Sequence, residues 1–194
     1  MSFIDDILED YDKRLWPTYG TDEPTMVEVE LWVNSFGPLD NSNMDYTVNL
    51  YLRESWFDPR LSLLRHGVNE TFVINGGDIA GQLWKPDLIF VNVKAARVQE
   101  ITVPTSLVSI FPDGRVLYSL RLNLRLSCPM DFQLYPFDTQ KCHIIMRPYA
   151  YTVNEIDLIW KDDKPVTLQR PVILSEFQLV DSYNATLDKE LPTG

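Results

Sequence analysis

The residues best suited to covalent chemistry are the only two cysteines in the chain, Cys128 and Cys142. Thirteen residues separate them, and near the middle a turn-forming proline, Pro136, lies between two aromatic residues. The simplest prediction is a disulfide, which would remove unfolded-state entropy worth roughly 3 kcal/mol and would persist only in an oxidising compartment. On the cysteine count alone, two buried free thiols remain the alternative.

Catalytic chemistry finds little support in the sequence. The only two histidines, His66 and His143, lie far apart, and neither has a cysteine or carboxylate at a metal-ligand spacing. No glycine-rich phosphate loop, nucleophile elbow or paired-acid motif occurs. We therefore expect a protein that is not an enzyme and that needs no metal or other cofactor.

Arginines that could bind an acidic group lie on two segments in which apolar and polar residues alternate. Both the segment from Met44 to about Trp56 and the segment from Arg115 to Ser127 have apolar even positions, which predicts two half-buried strands. The outward-facing residues include Tyr51 and Arg53 on the first strand, and Ser119 and Arg121 on the second. Guanidinium groups bind carboxylates bidentately, so this face suits an acidic ligand. A solvated sheet face with ordinary arginines is the alternative.

The elements around these strands predict the fold class. Apolar residues at helical spacing predict one amphipathic helix over Ser2–Leu15, and Phe111–Arg115 has the composition of a hairpin turn. Further strands are expected at Met26–Val33, Leu88–Val91, His143–Met146, Asp157–Trp160 and Val172–Val180. Many short strands with regular turns indicate an all-β fold, an immunoglobulin-like antiparallel β-sandwich with a short N-terminal α-helix.

Composition and short motifs indicate the cellular context. The formal net charge of −11 argues against a nucleic-acid partner, and no apolar run is long enough to span a membrane. Asn69 and Asn184 begin sequons for N-glycosylation, as expected for a protein outside the cell. With 194 residues and 45% hydrophobic content, the chain is expected to form one domain over residues 1–194.

The cysteine loop carries a family resemblance. Its Phe132-x-x-Tyr135-Pro136-Phe137-Asp138 pattern resembles the signature loop of the pentameric Cys-loop receptors, and Trp84-x-Pro86-Asp87 is a second similar motif. The segments 112–119 and 127–130 look most like the anion-channel branch, which comprises the glycine-, GABA-, glutamate- and histamine-gated chloride channels. The resemblance implies the extracellular ligand-binding domain of a channel subunit, assembled as a homo- or hetero-pentamer in the plasma membrane.

In this family a small-molecule ligand binds between a principal face of one subunit and a complementary face of the next. Carried over position by position, the resemblance assigns Tyr51, Arg53, Leu107, Ser119 and Arg121 to the complementary face. To the principal face it assigns Arg147, the aromatic positions Tyr149 and Tyr151, and Thr193. The domain is expected to be incomplete at its C-terminus, before the final strand, and the transmembrane segments of the family are absent.

The principal face departs from the family pattern at Arg147. Glycine and GABA receptors carry a glutamate there for the ligand amine, and no aromatic residue precedes Thr193. Two like charges about 5 Å apart repel by about 3 kcal/mol at an effective dielectric near 20, more than one cation–π contact offsets. We therefore expect weak responses to glycine and GABA, and a better fit for an acidic or uncharged ligand or for protons.

Two other classes of protein remain open at this point. One is a secreted, soluble ligand-binding protein that shares the fold but has no channel. The other is an immunoglobulin-like adhesion domain, which the cysteine loop disfavours. The sequence downstream of Gly194 would separate the first alternative from a channel, because a channel subunit continues into four apolar helices.

Overall fold

The computed structural model describes residues 3–75, 80–98, 105–169, 171–172, 174 and 176–187. Two short 3-10 helices, Pro59–Leu61 and Leu63–His66, follow the second strand. The other elements of the described part are α1 Phe3–Leu8, β1 Thr25–Asp40, β2 Asp45–Phe57, β3 Phe72–Asn75, β4 Leu88–Phe90, β5 Val93–Val98, β6 Ser106–Ile110, β7 Arg115–Ser127, β8 Met146–Pro148, β9 Ile156–Trp160 and β10 Val166–Leu168.

The larger of two sheets is organised around β2, which pairs antiparallel with β1 on one side and with β7 on the other. β6 and β5 both pair with β7, along different parts of its length, and β3 pairs with β6. β9 and β10 pair with β1 in parallel, one after the other along the strand. The smaller sheet consists of β4 and β8.

Alternation along the central strands places the hydrophobic core on one face of the larger sheet. Side chains at alternate positions of β1, β2 and β7 are almost fully buried, and Trp56 and Trp84 add an edge-to-face ring contact with centroids 5.5 Å apart. The buried residues of these three strands include Val27, Val29, Leu31, Val33, Val48, Leu50, Leu52, Leu122, Leu124 and Leu126. Burial of each such side chain contributes about 1.5–3 kcal/mol, so this face dominates the stability of the fold.

The predicted all-β, immunoglobulin-like sandwich with a short N-terminal helix is confirmed. The parallel pairing of β9 and β10 with β1 departs from a purely antiparallel arrangement. Strand β10 was not predicted, and the predicted strand at Val172–Val180 is absent from the described residues of that range. His143 lies outside any strand, because the strand predicted there begins later, at Met146.

The N-terminal helix is shorter than predicted and ends at Leu8. Just beyond it, the Asp12 carboxylate accepts a hydrogen bond from the backbone N–H of Arg14, a local turn that competes with helical hydrogen bonding. The Tyr11 hydroxyl donates to Asp58 Oδ2 at 3.0 Å and accepts from the Trp84 N–H at 3.1 Å. These contacts attach the segment after the helix to the sandwich instead of allowing the helix to continue.

Strand β1 extends past its predicted end at Val33, through Gly37 and Pro38, to Asp40. Two register shifts in its pairing with β2, between Val33 and Ser35 and between Phe36 and Leu39, accommodate these residues. Bulges of this kind allow a strand to contain residues that disfavour regular pairing. The connection between β1 and β2 is therefore a short turn over residues 41–44.

The predicted disulfide between Cys128 and Cys142 is formed. Cys128 is buried beside the core residue Met130, whereas the tip of the enclosed loop is exposed. Phe137 is 89% exposed, and Leu134 and Tyr135 are also exposed. The loop thus joins a buried anchor at its base to an apolar tip.

Candidate ligand-binding site

The predicted complementary-face residues lie together on the outer face of the larger sheet. Tyr51 pairs with Arg121 across β2 and β7, and Arg53 pairs with Ser119. Leu107 of β6 pairs with Ser119 from the other side. All five side chains are half-buried, and we call this group the arginine face. Alternation in the sequence correctly placed the four residues of β2 and β7 on one surface, and the resemblance added Leu107, whereas the role of all five in ligand binding remains a prediction.

The guanidinium group of each arginine on this face lies over an aromatic ring. The Arg53 guanidinium carbon lies 4.3 Å from the centroid of the Trp32 ring, and that of Arg121 lies 5.6 Å from the Tyr51 ring. Arg121 Nε also donates to Asn49 Oδ1 at 3.3 Å. Stacking of this kind restricts long side chains while leaving their outer edges accessible.

Glu30 is a further charged residue of the arginine face, and no sequence motif singled it out. It lies on β1 directly opposite Arg53, with its Oε2 3.7 Å from Arg53 Nη1. The alternation of β1 placed Glu30 on the polar face, yet the residue is only 8% exposed. Lys161 covers it from the end of β9, and its Nζ donates to Glu30 Oε2 at 3.1 Å. Only the strand register shows that Glu30 lies opposite Arg53, so the sequence of β1 alone could not identify this pair.

The principal-face residues lie on the smaller sheet and on the segment that follows it. Arg147 is exposed on β8, where it pairs with Ile89 of β4, and it has no ion-pair partner among the described residues. Tyr149 is 72% exposed, and its backbone N–H donates to the Asp87 carbonyl oxygen at 3.2 Å. Asp87 Oδ2 accepts from the Ala150 N–H at 2.6 Å, so Asp87 fixes the backbone beneath the Tyr149 ring.

Tyr151 is more enclosed than Tyr149. Its hydroxyl accepts a hydrogen bond from Trp84 Nε1 at 3.2 Å, and its ring contacts the rings of Trp16 and Trp84. This arrangement makes Tyr151 a packing residue below the principal face. Thr193, the remaining predicted site residue, lies outside the described residues.

The two groups do not form one pocket through strand pairing. The arginine face belongs to β2, β6 and β7 of the larger sheet, whereas Arg147 and Tyr149 belong to β8 and its continuation, whose only partner strand in the described chain is β4. Each group offers part of a binding site. One supplies cationic donors, and the other supplies an exposed aromatic ring with a cation beside it.

A buried acid lies directly behind the arginine face. Glu54 follows Arg53 on β2, points to the core side and is 3% exposed, and its Oε1 has no hydrogen-bond partner in the described structure. Burial and, to a smaller extent, the charge of Asp87 raise the pKa of Glu54 to about 8, although Lys85 opposes the shift. Lys85 Nζ also lies 5.0 Å from the Tyr118 ring centroid. Glu54 occupies an even position of β2, and the even positions of this strand were predicted to face the core.

Other predicted features are visible in the described chain. Asn69 and Asn184 are both exposed outside helices and strands, as a glycan requires, although their modification stays a prediction. No group of three or more His, Cys, Asp or Glu side chains in the described structure is placed to hold a metal ion. Among the described helices, none has the length and apolar content needed to cross a membrane.

Comparison with known proteins gives a consistent result. The family model described as neurotransmitter-gated ion-channel ligand binding domain matches residues 1–190. The glycine receptor subunit beta of Rattus norvegicus is 37% identical over 178 residues, which cover 92% of this chain and 36% of that protein. The human subunit is equally similar over 35% of its length. The gamma-aminobutyric acid receptor alpha-like protein of Drosophila melanogaster is 36% identical over 92% of this chain and 26% of its own length. The chain thus spans about a third or less of these relatives.

Because the pKa of Glu54 is raised in the folded state, the free energy of unfolding should depend on pH. The folded state favours the neutral carboxyl, so Glu54 stabilises the fold at low pH, and this contribution is lost as pH rises from the unfolded pKa of 4.5 through about 8. The loss is at most about 1.4 kcal/mol per pH unit. In Glu54→Gln, the free energy of unfolding should fall less between pH 5 and pH 8, as measured by urea denaturation with tryptophan fluorescence.

The matched control for this experiment is Glu28→Gln, which changes an exposed glutamate on β1 in the same way. Carboxyl groups with a lowered pKa, such as Asp45, titrate below this pH range and do not contribute to the difference. Parallel stability curves for Glu54→Gln and the unmodified protein would contradict the buried-acid assignment.

Proposed function

We propose, because this chain belongs to the neurotransmitter-gated ion-channel ligand binding domain family, that it is the extracellular ligand-binding domain of a subunit of a pentameric, ligand-gated chloride channel. The glycine and gamma-aminobutyric acid receptor relatives support the anion-channel branch. Membership of this family also places the chain outside the enzymes. The proposal includes a location on the outer face of the plasma membrane, attached through segments beyond this domain.

The main support for an intersubunit site is that one chain holds two separate groups of residues, each offering part of a binding site. The arginine face and the Tyr149 segment belong to different sheets, so the pair of arginines lies on one sheet and the exposed Tyr149 ring follows the other. A ring of subunits would bring the arginine face of one copy against the Tyr149 segment of the next. The ligand would then bind between adjacent subunits.

The chemistry of the arginine face favours a ligand with an acidic group. Arg53 retains 31% exposure of its side chain, and Arg121 lies two residues along on the neighbouring strand. Ser119 lies opposite Arg53 and two residues before Arg121 on β7, and it adds a hydroxyl that can donate to the same group. A carboxylate in this position would receive charge-assisted hydrogen bonds, which are about twice as strong as neutral ones.

Other surfaces fit the same assembly. All six residues of β5 are exposed, including the apolar Val93 and Val98, as expected for a surface that a neighbouring subunit covers. The exposed apolar tip of the cysteine loop would lie at the end of the domain that faces the membrane. The disulfide and the exposed sequons at Asn69 and Asn184 fit an extracellular location.

Assembly is the first prediction of this proposal. The full-length protein, solubilised in detergent and examined by size-exclusion chromatography with light scattering, should have the mass of five chains. The two partial sites require a neighbour on each side of every subunit, which implies a closed ring, and five is the number of subunits in channels of this family. A full-length chain that stays monomeric when folded, with the Cys128–Cys142 bond intact, would contradict the proposed assembly.

Ligand preference gives a second prediction, which depends on the charge of Arg147. Its guanidinium is exposed two residues before Tyr149 and should repel a ligand ammonium bound at that ring, although solvent weakens the effect. The receptor should respond weakly or not at all to glycine and GABA, and Arg147→Glu should increase the amine response by about tenfold or more. Currents recorded from cells expressing the full-length channel measure both.

Arg65→Glu is the matched control, because Arg65 is also exposed but lies in the second 3-10 helix, which carries neither group of site residues. This variant should leave the amine response unchanged. Strong activation of the unmodified channel by micromolar glycine or GABA would rule out the repulsion by Arg147.

A further inference from the structure

Glu30 is the most enclosed charge of the arginine face and has three cationic or polar donors around it. Trp32 Nε1 donates to its Oε1, and Lys161 Nζ donates to its Oε2. Arg53 Nη1 lies 3.7 Å from the same Oε2. The Glu30 side chain is 11% exposed, compared with 31% for Arg53 and 45% for Lys161. A carboxylate this enclosed is retained only when nearby donors compensate its charge, and here one of those donors is Arg53.

Two constraints act on the Arg53 guanidinium at once. The guanidinium carbon lies over the Trp32 ring, 4.3 Å from its centroid, and Glu30 attracts the Nη1 end. Trp32 itself is fixed to Glu30 by the indole hydrogen bond, so one carboxylate restrains both the ring and the cation. An arginine restrained by a ring at its guanidinium carbon and by a carboxylate at one end has its other edge left for a ligand, and bidentate recognition of a carboxylate requires such a fixed edge.

Lys161 connects this arrangement to the segment between β9 and β10. Its backbone N–H donates to the Val29 carbonyl at 3.1 Å, and at the other end of the segment the Pro165 carbonyl accepts from the Leu31 N–H at 2.8 Å. Both hydrogen bonds flank Glu30 on β1. The position of the Glu30 carboxylate is therefore set by backbone contacts as well as by its side-chain partners.

We propose that Glu30 is a positioning residue for ligand recognition, which holds the Arg53 guanidinium against Trp32 so that one edge faces an acidic ligand group. The identity of that group rests on the proposed function, whereas the restraint on Arg53 does not. Glu30, Arg53 and Lys161 together carry one net positive charge, so Glu30 also limits the attraction of the face for anions in general. Selectivity for a planar carboxylate then depends on the geometry of Arg53.

The experiment measures the reactivity of Arg53 in the full-length receptor. Phenylglyoxal modifies accessible arginines, and peptide mapping by mass spectrometry gives the modification rate at Arg53 alone. Glu30→Gln keeps the size of the side chain and an acceptor for Trp32 but removes the charge that attracts Arg53. We expect this variant to increase the rate at Arg53 about fivefold, and Glu30→Asp, which retains the charge, to increase it less.

The same assay reports on ligand recognition when succinate is added as a dicarboxylate probe, with the uncharged succinamide for comparison. Succinate should protect Arg53, and the concentration for half protection should rise about tenfold in Glu30→Gln. Glu28→Gln, which alters an exposed glutamate two residues earlier on the same face of β1, should change neither quantity. Unfolding midpoints of all variants establish that the rates refer to folded protein.

Each outcome decides one of the two claims. An unchanged modification rate in Glu30→Gln would overturn the positioning role, and so would tighter protection by succinate, which would mean that Glu30 acts only by repulsion. A faster rate at Arg53 without protection by succinate in any variant would uphold the positioning role but would contradict the carboxylate-binding function proposed for this face.

Discussion

The uninterrupted antiparallel pairing of β2 with β7 is the constraint on which the rest of this structure depends. The two strands stay in register from Asp45 opposite Ser127 to Phe57 opposite Arg115. Because side chains alternate between the two faces of a sheet, this register sends every second residue into the core and every other residue outward. A shift of one residue would bury Arg53 and Arg121 and expose the leucines of the core. The stability of the fold and the composition of the arginine face therefore have the same cause.

The central strands contain two nearly buried glutamates, which the structure accommodates in different ways. Glu30 lies on the outer side and is compensated by Lys161 and Arg53, whereas Glu54 lies on the core side with one oxygen unpaired in the described structure. The first orients a cation and the second favours its own neutral form. Both are adjacent in space to Arg53, by pairing in one case and by sequence in the other. Nearly buried carboxyl groups such as these two are found more often at functional sites than elsewhere in a protein.

Sequence patterns predicted the features that depend on strict local periodicity. Alternation in 115–127 identified β7 and its outward arginine, and the cysteine spacing identified the disulfide. The same reasoning failed where a single tertiary contact decides the outcome. The helix ends at Leu8, and the residues just beyond it make other contacts, from the Tyr11 hydroxyl to Asp58 and from the Arg14 N–H to the Asp12 carboxylate, which the periodicity of apolar residues does not indicate.

The candidate site was predictable in part for a related reason. Parity placed Tyr51, Arg53, Ser119 and Arg121 on one face before any register was known. The burial of Glu30 depends on Lys161, which is 131 residues away in the chain, and therefore could not be inferred from β1 alone. Tyr151 matched an aromatic position by its type, but its hydroxyl is occupied by Trp84. Residue type and spacing thus indicated which side chains face outward, whereas their interaction partners, which are distant in the chain, are visible only in the folded structure.

In the proposed assembly, the arginine face of one subunit meets the Tyr149 segment of the next. Full-length protein carrying both Ser119→Cys and Tyr149→Cys can be treated with a short bismaleimide and analysed under denaturing conditions, with the Cys128–Cys142 bond intact. The double variant should give a ladder of covalent species up to five chains, a mixture of the two single variants should give dimers, and either single variant alone should give no ladder. Cross-linking only within single chains, or no cross-linking in folded receptor, would contradict this assembly.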